Sequence, residues 1–177
     1  MRKIVLYIAM SLDGKIAKPN GDVSWLEKIP VPDNEDYGYG ALIERIDTTL
    51  MGNKTFKQIQ QFEGEFPYKG LKNFIFTQNS EQMNSDDVEY VSGDVVTFIK
   101  ELKTQPGKDI WLIGGGQINA LLLNHHLIDE IMAFMMPVVL GAGIPMFHSL
   151  AEQSFLKHTE SISYPNGVVL LKYVPKS

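Results

Sequence analysis

Ile110-Trp111-Leu112-Ile113-Gly114-Gly115-Gly116-Gln117-Ile118 is the stretch that decides the fold. Its four leading apolar residues, two β-branched and one aromatic, read as a strand buried on both faces. Three glycines stop the strand. Ile118, Leu121, Leu122 and Leu123 then supply the apolar face of a helix. A strand, a bare turn and a helix form a receptacle for phosphate. Without a Cβ the ligand can approach the backbone, and the free N–H groups and dipole of a helix N-terminus attract its negative charge. The structural alternative is a tight turn that needs glycine only for its dihedrals. Three glycines in a row exceed that requirement.

Working outward, residues 3–10 read as a buried strand stopped by Asp13-Gly14. A long loop follows, carrying Trp25 and punctuated by Pro30 and Pro32. Asp33 or Asn34 caps a helix whose apolar side is Tyr37, Leu42, Ile43 and Ile46. Thr48–Met51 is a short strand ending at Gly52, and Thr55–Gln61 is helical. Asn73–Thr77 and Val88–Val91 are strands, and Asp94 begins a helix with Phe98, Ile99 and Leu102 at helical spacing. Ile128–Met136 is a strand closed by Pro137. The chain ends in strands 156–163 and 168–174, joined by the hairpin signal Pro165-Asn166-Gly167. Alternating strands and helices predict an α/β fold with a mainly parallel sheet covered on both faces, and the hairpin adds an antiparallel edge. With no linker or repeat, residues 1–177 are expected to form one domain.

Composition narrows the function. The 177 residues carry a net charge of -5, which argues against a nucleic-acid partner, because such proteins present a basic face. There are no cysteines, which excludes disulfides, thiolate zinc sites, a Cys nucleophile and Cys-dependent zinc deaminase chemistry. His125 and His126 are adjacent, so on a helix they diverge and cannot chelate together, and no metal is expected. The apolar run Ile4–Met10 is short and lacks a cleavage site, so it is a strand rather than a signal peptide. No run is long enough to span a membrane, and the expected location is cytoplasmic.

A Rossmann fingerprint would place glycine where Asn119 stands and would lie near the first strand. The late position of the glycine triplet points elsewhere. Ile113-Gly114-Gly115-Gly116, with Met51-Gly52-x-Lys54-Thr55-Phe56 after an earlier strand, resembles the dihydrofolate reductase superfamily. Ala9-Met10-Ser11-Leu12-Asp13-Gly14-Lys15-Ile16-Ala17 resembles the riboflavin-biosynthesis reductase branch more closely. So does Leu127-Ile128-Asp129-Glu130 leading to the stretch Pro137-Val138-Val139-Leu140-Gly141-Ala142-Gly143-Ile144-Pro145-Met146-Phe147. These motifs occur in order over nearly the whole chain.

The resemblance implies a three-layer dihydrofolate reductase-like fold, with NADP across the carboxyl ends of the strands. It also implies hydride transfer to a pyrimidine- or pterin-type substrate, a cis peptide between Gly114 and Gly115, and a homodimer. The implied cofactor residues are Gly52, Asn53, Lys54, Thr55, Gly114, Gly115, Gly116, Gln117 and Ile118. Thr77 and Gln78, in the loop Thr77–Ser80, would meet the adenosine ribose. Asn53 stands where that superfamily often carries arginine, which leaves NADPH and NADH both open. Gly52–Thr55 could equally be an ordinary capped helix start. Substrate contacts fall to Ala9, Ser11, Asp13, Lys15 and Trp25, although Asp13-Gly14 could be a plain turn and Lys15 a solvated cation. Asp36 is the best-spaced catalytic carboxylate, with Ser11 and Asp13 as alternatives and a solvated helix start as the structural reading. Met132, Phe134, Met135 and Met136 read as core, or as a homodimer interface. A dihydrofolate reductase and a non-catalytic nucleotide-binding member of the fold are the competing functions.

Overall fold

The computed structural model describes residues 1–79 and 81–176; Ser80, the last residue of the expected ribose loop, lies outside them. Among the described residues, ten strands and four α-helices follow one another in a nearly alternating order. The strands are β1 (Ile4–Ser11), β2 (Lys15–Ala17), β3 (Ile46–Gly52), β4 (Lys72–Phe76), β5 (Val88–Val91), β6 (Asp109–Gly114), β7 (Glu130–Met136), β8 (Ile144–Pro145), β9 (Leu156–Ser163) and β10 (Val169–Pro175). The helices are α1 (Tyr39–Arg45), α2 (Asn53–Ile59), α3 (Val95–Thr104) and α4 (Gly116–Asn124), with a 3-10 turn at Ser24–Lys28.

Eight strands form one sheet in the order β5-β4-β3-β6-β1-β7-β10-β9. The six from β5 to β7 run parallel, while β10 and β9 close the sheet as the expected antiparallel hairpin. The sequence explains the parallel centre. Ile4, Val5 and Leu6 are completely buried, as are Ile110 and Leu112, because helices cover both faces. Successive side chains alternate between faces. Ile4, Leu6 and Ile8 of β1 pack with Ile99 and Leu102 of α3 and Leu122 of α4. On the other face Val5 packs with Leu42, Trp111 and Phe134, while Phe56 and Ile59 of α2 pack on Met51 and Ile75.

Several boundaries differ from expectation. The first helix begins at Tyr39 rather than near Asp33 or Asn34, because Asn34, Tyr37 and Gly38 all take positive φ. Ile46, expected on that helix, opens β3 instead. α2 starts at Asn53 and stops at Ile59, both ends earlier than in the expected span Thr55–Gln61 by about half a turn. The small antiparallel sheet of β2 and β8 was not expected. Both strands are too short to show a periodicity. Met132 and Phe134 lie in the core of the chain, whereas Met135 and Met136 are half-buried.

Candidate cofactor and substrate site

Two strand-to-helix turns meet at the carboxyl edge of the sheet. β3 lies beside β6, with Met51 opposite Gly114, so the Gly52–Asn53 and Gly114–Gly116 turns are neighbours. Gly114 has φ +110 and its peptide bond to Gly115 is cis, as the resemblance implies. Gly52 and Gly115 are the residues that open α2 and α4, and neither helix start has a side-chain cap. Their first N–H groups are available to an anion. The start of α3 is built differently: Asp94 accepts from the N–H groups of Val96 and Thr97.

The space around the glycines distinguishes their roles. A Cβ on Gly115 would stand 3.3 Å from the Thr55 hydroxyl oxygen and 3.8 Å from Ile16 Cδ1. One on Gly52 would stand 3.6 Å from Ile118 Cγ1 and 4.0 Å from the Gly114 carbonyl oxygen. The structure thus brings Gly52, Thr55, Gly114, Gly115 and Ile118 together. Gly116 differs, because a Cβ there would lie 2.3 Å from the Pro145 carbonyl oxygen. Its bareness serves close packing against the strap Val138–His148. The third glycine of the triplet was the sequence signal of that packing, and Gly143 in the strap is bare for a like reason, since a Cβ there would lie 2.5 Å from the Ala17 carbonyl oxygen. Lys54 and Gln117 are exposed beside the cradle. Gly52 pairs with Phe76, so Thr77 and Gln78 follow on the same edge, where the Thr77 hydroxyl accepts from Asn79 N–H.

An orphaned group lies at this edge. Asn53 Oδ1, at the first residue of α2, is buried and has no hydrogen-bond partner. A buried acceptor without a donor is costly, and a ligand hydroxyl or amide is one way to satisfy it. Bare glycines, uncapped helix starts and this acceptor fit a dinucleotide.

The residues expected to touch substrate have mixed fates. Ala9 is half-buried on the α1 face of β1, opposite Phe134. Ser11 is fully buried; its hydroxyl donates to Asp13 at 2.6 Å and accepts from Lys15 N–H. The Asp13 carboxylate also accepts from the N–H groups of Leu140 and Gly141. The Ser11 hydroxyl and these two amides hold the Asp13 pKa down at about 2. This turn is therefore tied to the strap. Lys15 lies on β2 opposite Pro145. Trp25 is 4% exposed and its Nε1 has no partner.

Asp36 precedes α1 and is exposed. Its carboxylate accepts from Gly40 and Gly38 N–H, and these bonds hold its pKa below the usual carboxylate range. Its charge, after burial, is the next cause of the raised pKa of the Tyr7 phenol. Asp36 directly precedes Tyr37, whose carbonyl accepts from the Tyr7 hydroxyl. Two further residues there were missed from sequence. Tyr37 has φ +55; its carbonyl accepts from the Tyr7 hydroxyl and its own hydroxyl accepts from Asn166. Asn166 also donates to Pro30, so the terminal hairpin pins the segment that carries Asp36. Cavities of about 300 and 350 Å³ lie elsewhere, one against Phe56, Ile59 and Phe66 and the other against Leu123, Phe155 and Pro175. Neither includes a residue of the glycine turns.

The sheet order and the paired glycine turns define a dihydrofolate reductase-like α/β protein. Residues 69–170 match the RibD C-terminal domain, and the chain belongs to that family. It is 34% identical over 88% of its length, and 88% of the relative's, to the uncharacterized protein YwjB of Bacillus subtilis (strain 168). A crystal structure named "Putative riboflavin biosynthesis protein", from Shewanella sp. PV-4, matches with a TM-score of 0.88 at 31% identity, covering 100% of both chains. The fold is also that of dihydrofolate reductase from Enterococcus faecalis, solved with NADP(H) and RAB-propyl. That match has a TM-score of 0.68 at 12% identity and covers 99% of this chain and 97% of the other. Among the described residues no helix is long and apolar enough to cross a membrane.

Proposed function

We propose that this protein is an NADPH-dependent reductase acting on a pyrimidine- or pterin-type ring, similar to 5-amino-6-(5-phosphoribosylamino)uracil reductase. The observation that carries the reading is the adjacency of two uncapped glycine turns, Met51 facing Gly114 across β3 and β6. The backbone N–H groups after Gly52 and Gly115 would hold the phosphates, with Lys54 adding charge and Thr55 a hydroxyl. Gly114, Gly116, Gln117 and Ile118 would complete that wall, with Asn53, Thr77 and Gln78 toward the adenosine end. When bound, the reduced nicotinamide supplies a hydride.

Substrate would lie over the carboxyl ends of β1 and β7, against Ala9 and Trp25, with Ser11, Asp13 and Lys15 at the turn. Asp36, kept ionised by Gly38 and Gly40, is suited to accept hydrogen bonds from ring N–H groups. As an anion it is a poor proton donor, so the proton that accompanies the hydride comes from solvent in this reading.

The experiment is direct. Purified protein is mixed with NADPH and the phosphoribosylaminopyrimidine, and reduced-nicotinamide absorbance is followed. Consumption of NADPH in step with reduction of the ribosylamino side chain to the ribitylamino one is expected. Inertness toward a range of pyrimidines and pterins, with NADPH bound, would leave a non-catalytic nucleotide-binding protein. Turnover of dihydrofolate alone would make it a dihydrofolate reductase. The same proposal includes a homodimer, which light scattering would report as twice the chain mass.

A further inference from the structure

Asn119 has no part in the reading above, yet it is fully buried on α4, directly behind the cofactor turn. Its backbone N–H donates to the Gly115 carbonyl at 3.0 Å. Its side-chain Nδ2 donates to the Met146 carbonyl at 2.8 Å, which fixes the amide orientation, because the reverse would set two oxygens face to face. Oδ1 is then left buried without a partner. It lies 3.1 Å from where a Cβ on Gly114 would stand. One residue therefore holds the turn by its backbone N–H and the strap by its side chain, with Oδ1 in the space that the missing Gly114 Cβ leaves.

We propose that Asn119 is a positioning residue that locks the Gly114–Gly115 turn to the strap Val138–His148 and so fixes the cofactor turn relative to the Ser11–Lys15 turn. The strap is tied at its other side. Met146 N–H donates to the Gly14 carbonyl at 3.0 Å. β8 pairs with β2, and Leu140 and Gly141 hold Asp13. Gly116 sits against Pro145, and the Gly116 carbonyl accepts from His148 N–H. Asn119 is the side chain that joins this chain of contacts to the bare turn. The inference rests on Gly114–Gly115 being the dinucleotide cradle.

The test is Asn119→Asp, which keeps the shape but exchanges the donor for a carboxylate. Ionised, the new group faces the Met146 carbonyl with no proton to give; protonated, it restores the donor. Burial raises a carboxyl pKa, so binding should recover toward acid. The titratable groups on neighbouring elements are His148 on the strap, Lys15 on β2 and Lys54 on α2. All three are present in every variant, so the ratio of affinities isolates the new carboxyl. Affinity for NADP+ is measured by calorimetry from about pH 8 down to about pH 5. The variant should bind about tenfold more weakly at the alkaline end and approach the unaltered protein at the acid end. Asn119→Ala, which buries no charge, should bind about tenfold more weakly at every pH. If the unaltered protein binds no NADP+, the cradle reading falls and takes this inference with it. If it binds and both variants match it, only the role of Asn119 falls. A weaker affinity in Asn119→Asp that ignores pH, or failure of both variants to fold, would make Asn119 a packing residue and overturn the proposal.

Discussion

At the amino ends of the parallel strands Arg2, Arg45 and Lys103 each meet a carboxylate, whereas at the carboxyl ends the chain places Gly52, Gly114 and Gly115. Arg2, 7% exposed, pairs with Asp47 and donates to the Lys108 carbonyl. Arg45 spans Asp109 and Glu130 at 2.6 and 2.8 Å. Lys103 pairs with Asp129, whose carboxylate also accepts from Ile4 N–H. Every one of these charges has a partner inside the chain. The opposite edge has uncapped helix starts and the orphaned Asn53 Oδ1. One edge satisfies itself with paired charges, and the other presents backbone N–H groups and one unpartnered acceptor. Parallel sheets bind ligands at the carboxyl edge for this reason.

Substitutions can break that division, beginning with the largest effect on stability. Gly116→Ala puts a Cβ 2.3 Å from the Pro145 carbonyl oxygen, a backbone atom that moves only if the strap moves. A loss of roughly 3 kcal/mol is expected in urea unfolding. A loss below roughly 1 kcal/mol would show that the strap is loosely held. Lys103→Met, at the other edge, leaves Asp129 without its cation and should cost roughly 2 kcal/mol. Its affinity for NADP+ should stay unchanged, and a weakened affinity would erase the distinction between the edges. Gly115→Ala meets only side chains, the adjustable Thr55 hydroxyl at 3.3 Å and Ile16 Cδ1 in ordinary contact at 3.8 Å. Its melting temperature should fall by less than about 1 kcal/mol's worth, while NADP+ affinity drops at least about tenfold.

The smallest effect is a pH effect. The Asp13 pKa is lowered to about 2 by Ser11, Leu140 and Gly141, so the folded state favours the ionised carboxylate. That contribution is complete above the unfolded value of about 3.9 and is lost as pH falls toward about 2. Asp13→Asn should therefore melt below the unaltered protein at neutral pH, with the gap closing across that acid window. A gap that widens there would reverse the sign of the Asp13 contribution.

Long or strongly patterned elements were legible in the sequence. β1, β6 and β7 announced themselves as apolar runs, Val88–Val91 matched residue for residue, and Asp94 capped α3 as read. The turn at Gly114–Gly116 was legible too, because a strand, glycines and a helix in that order leave little choice of geometry. The start of α1 was not. Asp33 and Asn34 look like caps, but two non-glycine residues at positive φ, Asn34 and Tyr37, delay the helix. Tyr37 is held by contacts from far away, Asn166 and Tyr7, which no local pattern records. Asn119 was visible only as a missing glycine. Its use depends on Met146, which the sequence does not place beside it.

β1 lies between β6 and β7, with Ile4 facing Ile110 and Val5 facing Glu130. A strand early in the sequence is thus the centre of the sheet, and both its neighbours follow far later in the chain. Pairing across such separations closes long loops, and domains of this kind fold slowly. A nascent chain cut before β7 carries its most apolar strand with one side bare. Such a fragment is expected to persist on a chaperone or to aggregate.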